Sequence, residues 1–368
     1  MASIKQRPNG KWRARYRDHS GKEHVRHFKF KNNPRSPGES AQHWVEQELA
    51  ALTRDDWVEP SRRNLTVADW CDQWIKGYER HRASTVRQAK THLVRIKKRF
   101  GDRQLRALKP SDVLEWIVAM QDEGLAANTI YALHSRLAQL CNDAVHDGIL
   151  TKSPTSRRTS PPMGRQRPHV ATTAQVWALY EAMPENVRKG ILLGAFGGLR
   201  AGEVVVFRPE HLDAAENVLR QCVQYPAEPL KTEHSLIPIP VPKELVVMLT
   251  EGVDEGSSLP FVRGEQGQAI SKRRFEEVFR AAREKVPDLP EGFRFHDLRH
   301  YFASLLIAAG LDIKTVQHRV RHASAKTTLD TYGHMFPDKD EASRSVVAAA
   351  ILDRAASPEP DPAETPAD

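Results

Sequence analysis

One stretch of the C-terminal third combines residue types that bind phosphate, Phe295-His-Asp-Leu-Arg-His-Tyr-Phe-Ala-Ser304. The apolar run from Leu305 to Gly310 follows it and predicts a buried helix whose first turn carries His296 and Arg299. Residues three apart share a helix face. The first turn also exposes unpaired N–H groups and a partial positive charge, which favour an anion. The imidazole and the guanidinium therefore predict half of a phosphate site.

Three other segments could complete this pocket. Residues 197–203, Gly-Gly-Leu-Arg-Ala-Gly-Glu, end a predicted helix with glycines and place Arg200 where the backbone turns. Lys231 lies in a predicted short loop between two strands. Tyr332 lies ten residues after His322, at the end of a polar segment. Whether these side chains meet depends on the elements that carry them.

The composition narrows the class of protein. The chain has 368 residues, 40% hydrophobic and 28% charged, which predicts two or three domains with a sizeable core. It has no apolar run of the about 18 residues that would span a membrane, and its N-terminus lacks a secretory signal. Cys71, Cys141 and Cys222 are far apart and give neither a disulfide framework nor a C-x-x-C metal pair. A reducing cytoplasm is the expected compartment.

Positive charge is concentrated at the N-terminus. The formal net charge is +8 and the sequence pI is about 9.4. Residues 1–35 hold eleven basic residues against Asp18 and Glu23, a net charge of +9. Charge concentrated in this way predicts a polyanionic partner.

Residues 3–31 predict a small β-unit. Turn signals at residues 8–10 and 19–21 bracket an alternating segment. One face of that segment is apolar (Trp12, Ala14 and Tyr16) and the other is basic (Lys11, Arg13, Arg15 and Arg17). His24 to Phe30 fits a third strand, and Pro37 to Leu52 has helical spacing that can cover the apolar face.

The basic strand face allows two interpretations. It could be a solvated surface, or it could belong to a sheet that enters the major groove of DNA. We favour the second, because four like charges on one short strand face repel one another unless an anion is near.

Residues 65–150 predict four helices, at 66–78, 84–99, 110–120 and 128–146. They form a module of bundle type, preceded by a polar linker at 53–64. The second helix has a basic face that is either solvated or binds DNA, with Arg87, Lys90 and Arg95 as the candidate contacts.

The remainder of the chain predicts a linker and a third domain. Residues 151–168 contain five basic residues, four prolines and no acid, which favours an extended linker that carries Arg157 and Arg158 to DNA. In the third domain we expect a helix that starts at Thr172 or Thr173, further helices at 185–197, 271–285, 312–319, 327–335 and 341–355, and strands at 218–223 and 235–239.

Four segments resemble the boxes of the tyrosine recombinase, or phage integrase, family. Residues 198–203 are similar to its first arginine box, and residues 296–300, His-Asp-Leu-Arg-His, to its second. Residues 322–332, His-Ala-Ser-Ala-Lys-Thr-Thr-Leu-Asp-Thr-Tyr, resemble the box with the nucleophile. Leu-Lys-Thr at 230–232 resembles the β-hairpin lysine segment. The four boxes follow the family order, which makes the resemblance specific.

The resemblance implies a multidomain, mainly α fold. Residues 1–55, a three-stranded sheet plus a helix, would be an arm-type DNA-binding domain, and residues 65–150 a four-helix SAM-like core-binding domain. A basic interdomain linker at 151–168 would lead to a mixed, mainly α catalytic domain with a small β-sheet at 169–355. The acidic, proline-rich tail at 356–368 predicts disorder.

The resemblance also implies roles for the charged residues. Attack on a phosphodiester builds negative charge on the non-bridging oxygens, which two guanidiniums can hold by bidentate contacts. Arg200 and Arg299 match this role. Tyr332 matches the nucleophile, which would form a 3′-phosphotyrosyl link to DNA.

The departing 5′-alkoxide needs a proton, and Lys231 matches the family's general acid. His296 and His322 would contact the phosphoryl oxygen and help to move the tyrosine proton. The covalent link conserves the energy of the phosphodiester, so neither ATP nor a metal is expected.

Simpler interpretations compete for individual residues. Arg200 could only pair with Glu203, and a loop lysine is usually solvated. His296 and His300 could suggest a metal pair, but the guanidinium between them would repel a cation. Tyr225 and Tyr301 are expected to be packing residues.

One position departs from the family pattern. Val320-Arg321 precedes His322 where the family usually has Leu-Gly. Arginine takes a positive φ less readily than glycine, which puts the turn in doubt and suggests an added contact from Arg321 to a DNA phosphate.

The expected protein is an integrase of a temperate phage or mobile element in a bacterial host, associated with the nucleoid. It would act as a homotetramer on core-type and arm-type DNA sites, with a host DNA-bending protein and a directionality factor as possible accessory partners. A type IB topoisomerase-like enzyme and a DNA-binding regulator without activity are the alternatives.

Overall fold

The computed structural model describes residues 2–54, 57–164, 169–230, 233–254, 256–336 and 340–356. The chain divides into two compact units, residues 1–165 and 166–368. Within the described residues, no helix is both long enough and apolar enough to cross a membrane. The predicted acidic tail from residue 357 onward lies outside the described residues.

The first unit begins with the predicted three-stranded sheet. Strands β1 (Ser3–Gln6), β2 (Trp12–Arg17) and β3 (Glu23–Phe28) pair antiparallel in the order β1-β2-β3. Helix α1 (Ala41–Thr53) packs on its apolar face. Ala14 and Tyr16 are fully buried, which confirms the predicted alternation.

The basic face of β2 is partly neutralised. Arg13 and Arg15 both face the carboxylate of Glu23, at 3.7 and 3.4 Å. Arg15 also donates a hydrogen bond of 2.6 Å to the Ser3 hydroxyl. The repulsion that favoured a DNA-facing strand is therefore relieved in part by the protein itself.

A buried carboxylate fastens the predicted polar linker to this sheet. Glu48 is 4% exposed and accepts hydrogen bonds from Tyr16 Oη and from Trp57 Nε1, each of 2.9 Å. Arg63 binds both oxygens of Glu48, at 2.6 and 2.5 Å. Arg62 donates a 2.9 Å bond to the carbonyl of Asp147. Residues 57–63 are thus a packed connection and not a free linker.

Four helices form the second part of this unit, as predicted. They are α2 (Val67–Tyr78), α3 (Ala83–Phe100), α4 (Pro110–Asp122) and α5 (Ala127–His146). Trp70 and Trp74 join α2 to α5 through bonds to Leu140 O (2.9 Å) and Asp143 Oδ2 (2.6 Å). The basic face of α3 is paired in part with acidic residues of its neighbours, through Lys90–Glu79, Arg95–Glu123, Lys97–Asp72 and Arg99–Glu115.

The predicted extended linker starts as a packed segment. Thr155 and Thr159 are buried, and Thr159 Oγ1 lies 3.0 Å from His134 Nε2 on α5. Arg157 and Arg158 lie in a short 3-10 turn with exposed side chains. Residues 165–168 lie outside the described residues.

Helices dominate the second unit. They are α6 (Thr173–Ala182), α7 (Glu185–Ala195), α8 (Ala201–Val204), α9 (Lys243–Thr250), α10 (Lys272–Arg283), α11 (Asp297–Ala308), α12 (Ile313–Arg319), α13 (Ala325–Tyr332) and α14 (Asp340–Ala356). Helix α9 was not predicted from the sequence. Gly194 on α7 lets α11 approach closely, since a Cβ there would lie 2.6 Å from the Phe295 ring.

The strands of this unit are shorter than predicted. β4 (Leu212–Asp213), β5 (Val218–Leu219) and β8 (Ile239–Pro240) form one sheet, and β6 (Val223–Gln224) pairs with β7 (Glu228–Pro229). The strand expected at 218–223 is therefore two strands. Of the strand expected at 235–239, the first two residues lie in a 3-10 turn at Glu233–Leu236 and the last begins β8. Prolines cannot donate ladder hydrogen bonds, which shortens strands in this region.

We expect Arg63→Met to destabilise the first unit, because it leaves the Glu48 carboxylate buried without its ionic partner. Breaking a buried pair costs about 3–5 kcal/mol, and the partial exposure of the Arg63 side chain should reduce this to about 1–3 kcal/mol. Urea unfolding followed by tryptophan fluorescence measures the loss, with Arg62→Met as the matched control.

The same variant should change the pH dependence of stability. Burial alone would raise the pKa of Glu48, but hydrogen bonds from Arg63 and Tyr16 outweigh it and hold the pKa below its ordinary value. The wild type should therefore lose stability as the pH falls below the ordinary glutamate range. In Arg63→Met, burial should raise the pKa, so acidification should stabilise the protein instead. Equal pH dependence in the two proteins would contradict this account.

Candidate active site

Helix α11 places a buried guanidinium at its start. Arg299 is 1% exposed, and its Nη1 donates a 2.5 Å bond to the carbonyl of Gly198. Gly198 has a φ of 62°, and a Cβ there would lie 2.6 Å from the Phe302 ring, so glycine is needed. Arg299 Nη2 is buried and has no hydrogen-bond partner among the described residues. Such a group suits an anionic ligand.

Arg200 is positioned by Glu203. Its backbone N–H and its Nη1 donate 3.0 Å bonds to the two oxygens of the Glu203 carboxylate, which is 2% exposed. The Arg200 side chain remains 39% exposed. The predicted pair between Arg200 and Glu203 therefore exists. It still leaves the guanidinium accessible to a ligand, so Arg200 is not only a partner of Glu203.

Arg321 completes this cluster from inside the protein. It has a φ of 50° and is 2% exposed. Its Nη2 forms an ion pair with Glu203, and its Nη1 donates a 2.7 Å bond to the carbonyl of Ser235. The expected DNA phosphate contact from Arg321 is wrong, because the side chain points into the core. The positive φ that the family pattern requires is nevertheless kept.

The arginine cluster, defined as Arg200, Arg299, Arg321 and Glu203, carries a net positive charge. Burial would raise the pKa of Glu203, but the charges of Arg321 and Arg200 outweigh it and lower the pKa. Burial lowers the pKa of Arg299 to about 9, and the neighbouring charges of Arg200 and Arg321 act in the same direction. A bound anion would relieve this repulsion.

Tyr332 closes α13 with its side chain fully buried. Its Oη lies 2.7 Å from Nδ1 of His300. The ring of His322 is nearly parallel to the Tyr332 ring, with centroids 6.2 Å apart, and its Nδ1 lies 3.0 Å from Thr328 Oγ1. Burial raises the pKa of Tyr332 to about 12, although the charge of Arg299 opposes the rise.

The surroundings of His322 and His296 favour the neutral forms of their imidazoles. Burial lowers the pKa of His322 to about 4, and the charges of Arg299 and Arg200 add to the effect. The pKa of His296 is also lowered, by the surrounding protein and then by His300 and Arg299, although the residue keeps an exposed surface. Neutral imidazoles can donate a hydrogen bond to phosphate and also exchange a proton.

Five predicted site residues therefore surround one region of the second unit: Arg200, His296, Arg299, His322 and Tyr332. Lys231 lies outside the described residues. The contact of His300 with the tyrosine was not among the sequence predictions. The available signal was its position one helical turn after His296, which places both rings on one face of α11, with centroids 5.1 Å apart.

The predicted DNA-binding residues lie in the first unit with different exposures. The exposed ones are Lys11, Arg17, Arg87, Lys90, Arg157 and Arg158, and the partly buried ones are Arg13, Arg15 and Arg95. Arg95 is held by Glu123 at 2.8 Å. The exposed basic residues are more available for contacts with phosphate than the partly buried ones.

Comparison with known proteins places this site in a family. Residues 170–339 match the phage integrase family. The ICEBs1 integrase of Bacillus subtilis (strain 168) is 25% identical over 242 residues, which cover 60% of this chain and 66% of that protein. The integrase of Mycobacterium phage FRAT1 is 24% identical over 315 residues, covering 78% of this chain and 92% of that protein.

The fold is also shared with a solved integrase. A lambda integrase tetramer bound to a Holliday junction superposes with a TM-score of 0.60 at 19% identity, covering 88% of this chain and 96% of that chain. Arginines and histidines are side chains that can bind a phosphate group and stabilise charge that develops on it. Residues 170–339 are therefore a domain of the phage integrase family, and the chain is a site-specific recombinase that cleaves and rejoins DNA.

We expect Arg321→Gly to destabilise the second unit even though glycine is the usual family residue here. Glycine relieves about 1 kcal/mol of backbone strain, whereas removal of one partner from a buried ion pair costs about 3–5 kcal/mol. The midpoint of thermal unfolding should therefore fall. Arg321→Lys, which keeps a cation near Glu203, should recover part of the loss. A glycine variant as stable as the wild type would show that the ion pair adds nothing.

Proposed function

We propose that Tyr332 attacks a DNA phosphodiester held by Arg299 and Arg200, and that this forms a 3′-phosphotyrosyl link. The observation that carries the proposal is the guanidinium of Arg299, which is 1% exposed and has an Nη2 without a partner in the described part of the chain. A phosphate oxygen at Nη2 would supply the missing acceptor. Because Arg299 affects the pKa of Tyr332 electrostatically, the same anion would lie near the phenol.

The arginine cluster would stabilise the transition state. Charge builds on the non-bridging oxygens as the phenol attacks, and preorganised cations in a site removed from water stabilise such charge strongly. Arg299 is fixed by Gly198, and Arg200 is fixed by Glu203, so neither side chain needs to reorganise when the charge develops.

Neutral His296 and His322 would donate hydrogen bonds to the same phosphoryl group. Lys231 would give the departing 5′-oxygen its proton. That role rests on the sequence, because Lys231 lies outside the described residues, in the segment between β7 and the 3-10 turn at Glu233–Leu236. The phosphotyrosyl link would hold the energy for rejoining, so the reaction requires no ATP.

The two units would divide the contacts with DNA. Residues 1–55 would bind arm-type sites, and residues 65–150 core-type sites, with the basic segment 151–168 between them and the catalytic domain at 169–355. The exposed pairs Lys11 and Arg17, Arg87 and Lys90, and Arg157 and Arg158 support phosphate contacts along the first unit. A host DNA-bending protein and a directionality factor are proposed as accessory partners on the family resemblance alone.

Four copies would assemble on two DNA duplexes. The lambda integrase that shares this fold is a tetramer on a Holliday junction. Helix α14 presents exposed apolar side chains that a neighbouring protomer could cover: Val346, Val347, Ile351 and Leu352, which are 58–70% exposed. An assembly of this kind separates a recombinase from the topoisomerase-like and regulator alternatives.

A nicked suicide substrate that carries the core site tests the chemistry. We expect Arg299→Gln to lower the rate of covalent complex formation by about 10²–10³-fold, because one preorganised charge donor is lost. Binding to the site should change little, since most affinity comes from contacts spread along the backbone. Tyr332→Phe should give no covalent complex, and Arg188→Gln, on α7 beside Glu185, is the matched control. Wild-type protein that forms no adduct with any site sequence would overturn the enzyme mechanism.

Introducing negative charge on the exposed apolar face of α14 tests whether this helix is a contact between protomers in the tetramer. Val347→Glu combined with Ile351→Glu should prevent tetramer formation on paired sites, because the two carboxylates would have to be buried at the protomer contact. Light scattering of the protein–DNA complexes measures the stoichiometry. Cleavage of a single suicide half-site should persist and serves as the control for folding. Tetramers of undiminished stability would show that α14 is not the contact.

A further inference from the structure

We propose that His300 is the catalytic residue that takes the proton of Tyr332 during cleavage and returns it during rejoining. The proposal deepens the proposed function, since it rests on Tyr332 as the nucleophile. Neither histidine that the sequence had suggested for this transfer, His296 or His322, is in hydrogen-bonding contact with the phenol in the structure.

The geometry selects His300 among the three histidines. Its Nδ1 lies 2.7 Å from Tyr332 Oη, a normal hydrogen-bond distance. The ring of His322 lies alongside the phenol with centroids 6.2 Å apart, and its Nδ1 contacts Thr328 instead. His296 packs on His300, with ring centroids 5.1 Å apart. The proton of Oη therefore has a direct acceptor only in the contact with His300, within the described residues.

The phenol needs such an acceptor. Tyr332 is 0% exposed, so hydroxide from solvent has no direct access to its proton. Burial raises the pKa of Tyr332 to about 12, which leaves the phenol protonated at neutral pH. A nucleophile of this kind is activated by an adjacent general base.

The surroundings of His300 suit a base that is neutral at rest. Burial lowers the pKa of His300; the carboxylate of Asp297 opposes this, and the charge of Arg299 adds to it. Asp297 Oδ1 lies 3.8 Å from Nε2, too long for a hydrogen bond but close enough to stabilise an imidazolium. The other groups near the ring are His296 on α11 and Tyr332 on α13. Asp297 therefore acts on the base through its charge, without a hydrogen bond to the ring.

The step balances without a further reagent. As the Oη–phosphorus bond forms, the Oη proton moves to His300 Nδ1, and the phosphorus–O5′ bond breaks. The departing O5′ takes a proton from the general acid, for which Lys231 is proposed. In rejoining, the 5′-hydroxyl attacks phosphorus and gives up its proton to the deprotonated Lys231, which then acts as the base. The bond to Oη then breaks, and His300 returns its proton to the phenol.

The test is single-turnover formation of the covalent complex by His300→Asn on two suicide substrates. One has a normal 5′-bridging oxygen, and the other has sulfur at that position. A thiolate leaves without a proton, so the sulfur substrate bypasses the general acid but not the base. We expect His300→Asn to be about 10²-fold slower or more on both substrates. Lys231→Ala should be slow on the oxygen substrate and close to wild type on the sulfur substrate.

A pH profile separates a chemical role from a structural one. In the wild type the rate should become independent of pH once His300 is neutral. In His300→Asn it should keep rising with pH, because the phenol must then ionise unaided. Tyr301→Phe, in the same helix, loses a 3.0 Å bond to Thr173 and is the matched control, with an expected profile like the wild type.

A second variant covers the case in which His300→Asn unfolds. Asp297→Asn removes the charge that raises the pKa of His300, so the acidic limb of the profile should move to lower pH. An unmoved limb, or a His300→Asn rate within about threefold of wild type at every pH, would overturn the proposal. A covalent adduct retained in Tyr332→Phe would instead overturn the proposed nucleophile.

Discussion

The site depends on a carboxylate buried among guanidiniums. Glu203 receives the backbone N–H and side chain of Arg200 and the side chain of Arg321, and it is 2% exposed. These contacts tie the start of α8 to the turn before His322, elements more than a hundred residues apart in the chain. Arg321 also reaches the carbonyl of Ser235, beyond the segment that carries Lys231. The network around Glu203 thereby holds the first arginine box to the turn that precedes the nucleophile box.

The same network leaves the site short of negative charge. Three guanidiniums surround Glu203, and Arg299 keeps an unpaired Nη2 in the described structure. A buried cation without its full set of acceptors costs stability, and this cost is typical of sites that bind a charged ligand. The scissile phosphate proposed here would supply both the missing charge and the missing acceptor. The excess of positive charge would thus both prepare the site for the transition state and destabilise the site when DNA is absent.

Sequence patterns predicted most of the helices, and short motifs indicated five residues that the second unit brings to one region, because apolar periodicity and short motifs are local. Sequence patterns were less successful where the position of a side chain depends on residues that are distant in the chain. Arg321 departs from the family pattern at a glycine position, and only the tertiary partner Glu203 reveals that its side chain turns inward. The sequence does not reveal the contact of His300, because its partner, Tyr332, is 32 residues away in the chain. The predicted bounds of the short strands were wrong for a local reason. Prolines interrupt the hydrogen-bond ladders of these strands and leave little alternation of apolar and polar residues to detect.

Two buried glutamates of this chain illustrate how a structural network differs from a ligand site. Glu48 is surrounded by Tyr16, Trp57 and Arg63, and both of its oxygens are matched by the guanidinium of Arg63. The negative charge of Glu48 is therefore balanced by Arg63, and the cluster has no excess charge to attract a ligand. At Glu203 the guanidiniums outnumber the carboxylate, and Arg200 remains 39% exposed. Burial alone does not mark a functional site, because both carboxylates are nearly inaccessible. The Glu203 network differs from the Glu48 network in its excess of positive charge and in the exposed side chain of Arg200, which a ligand can reach.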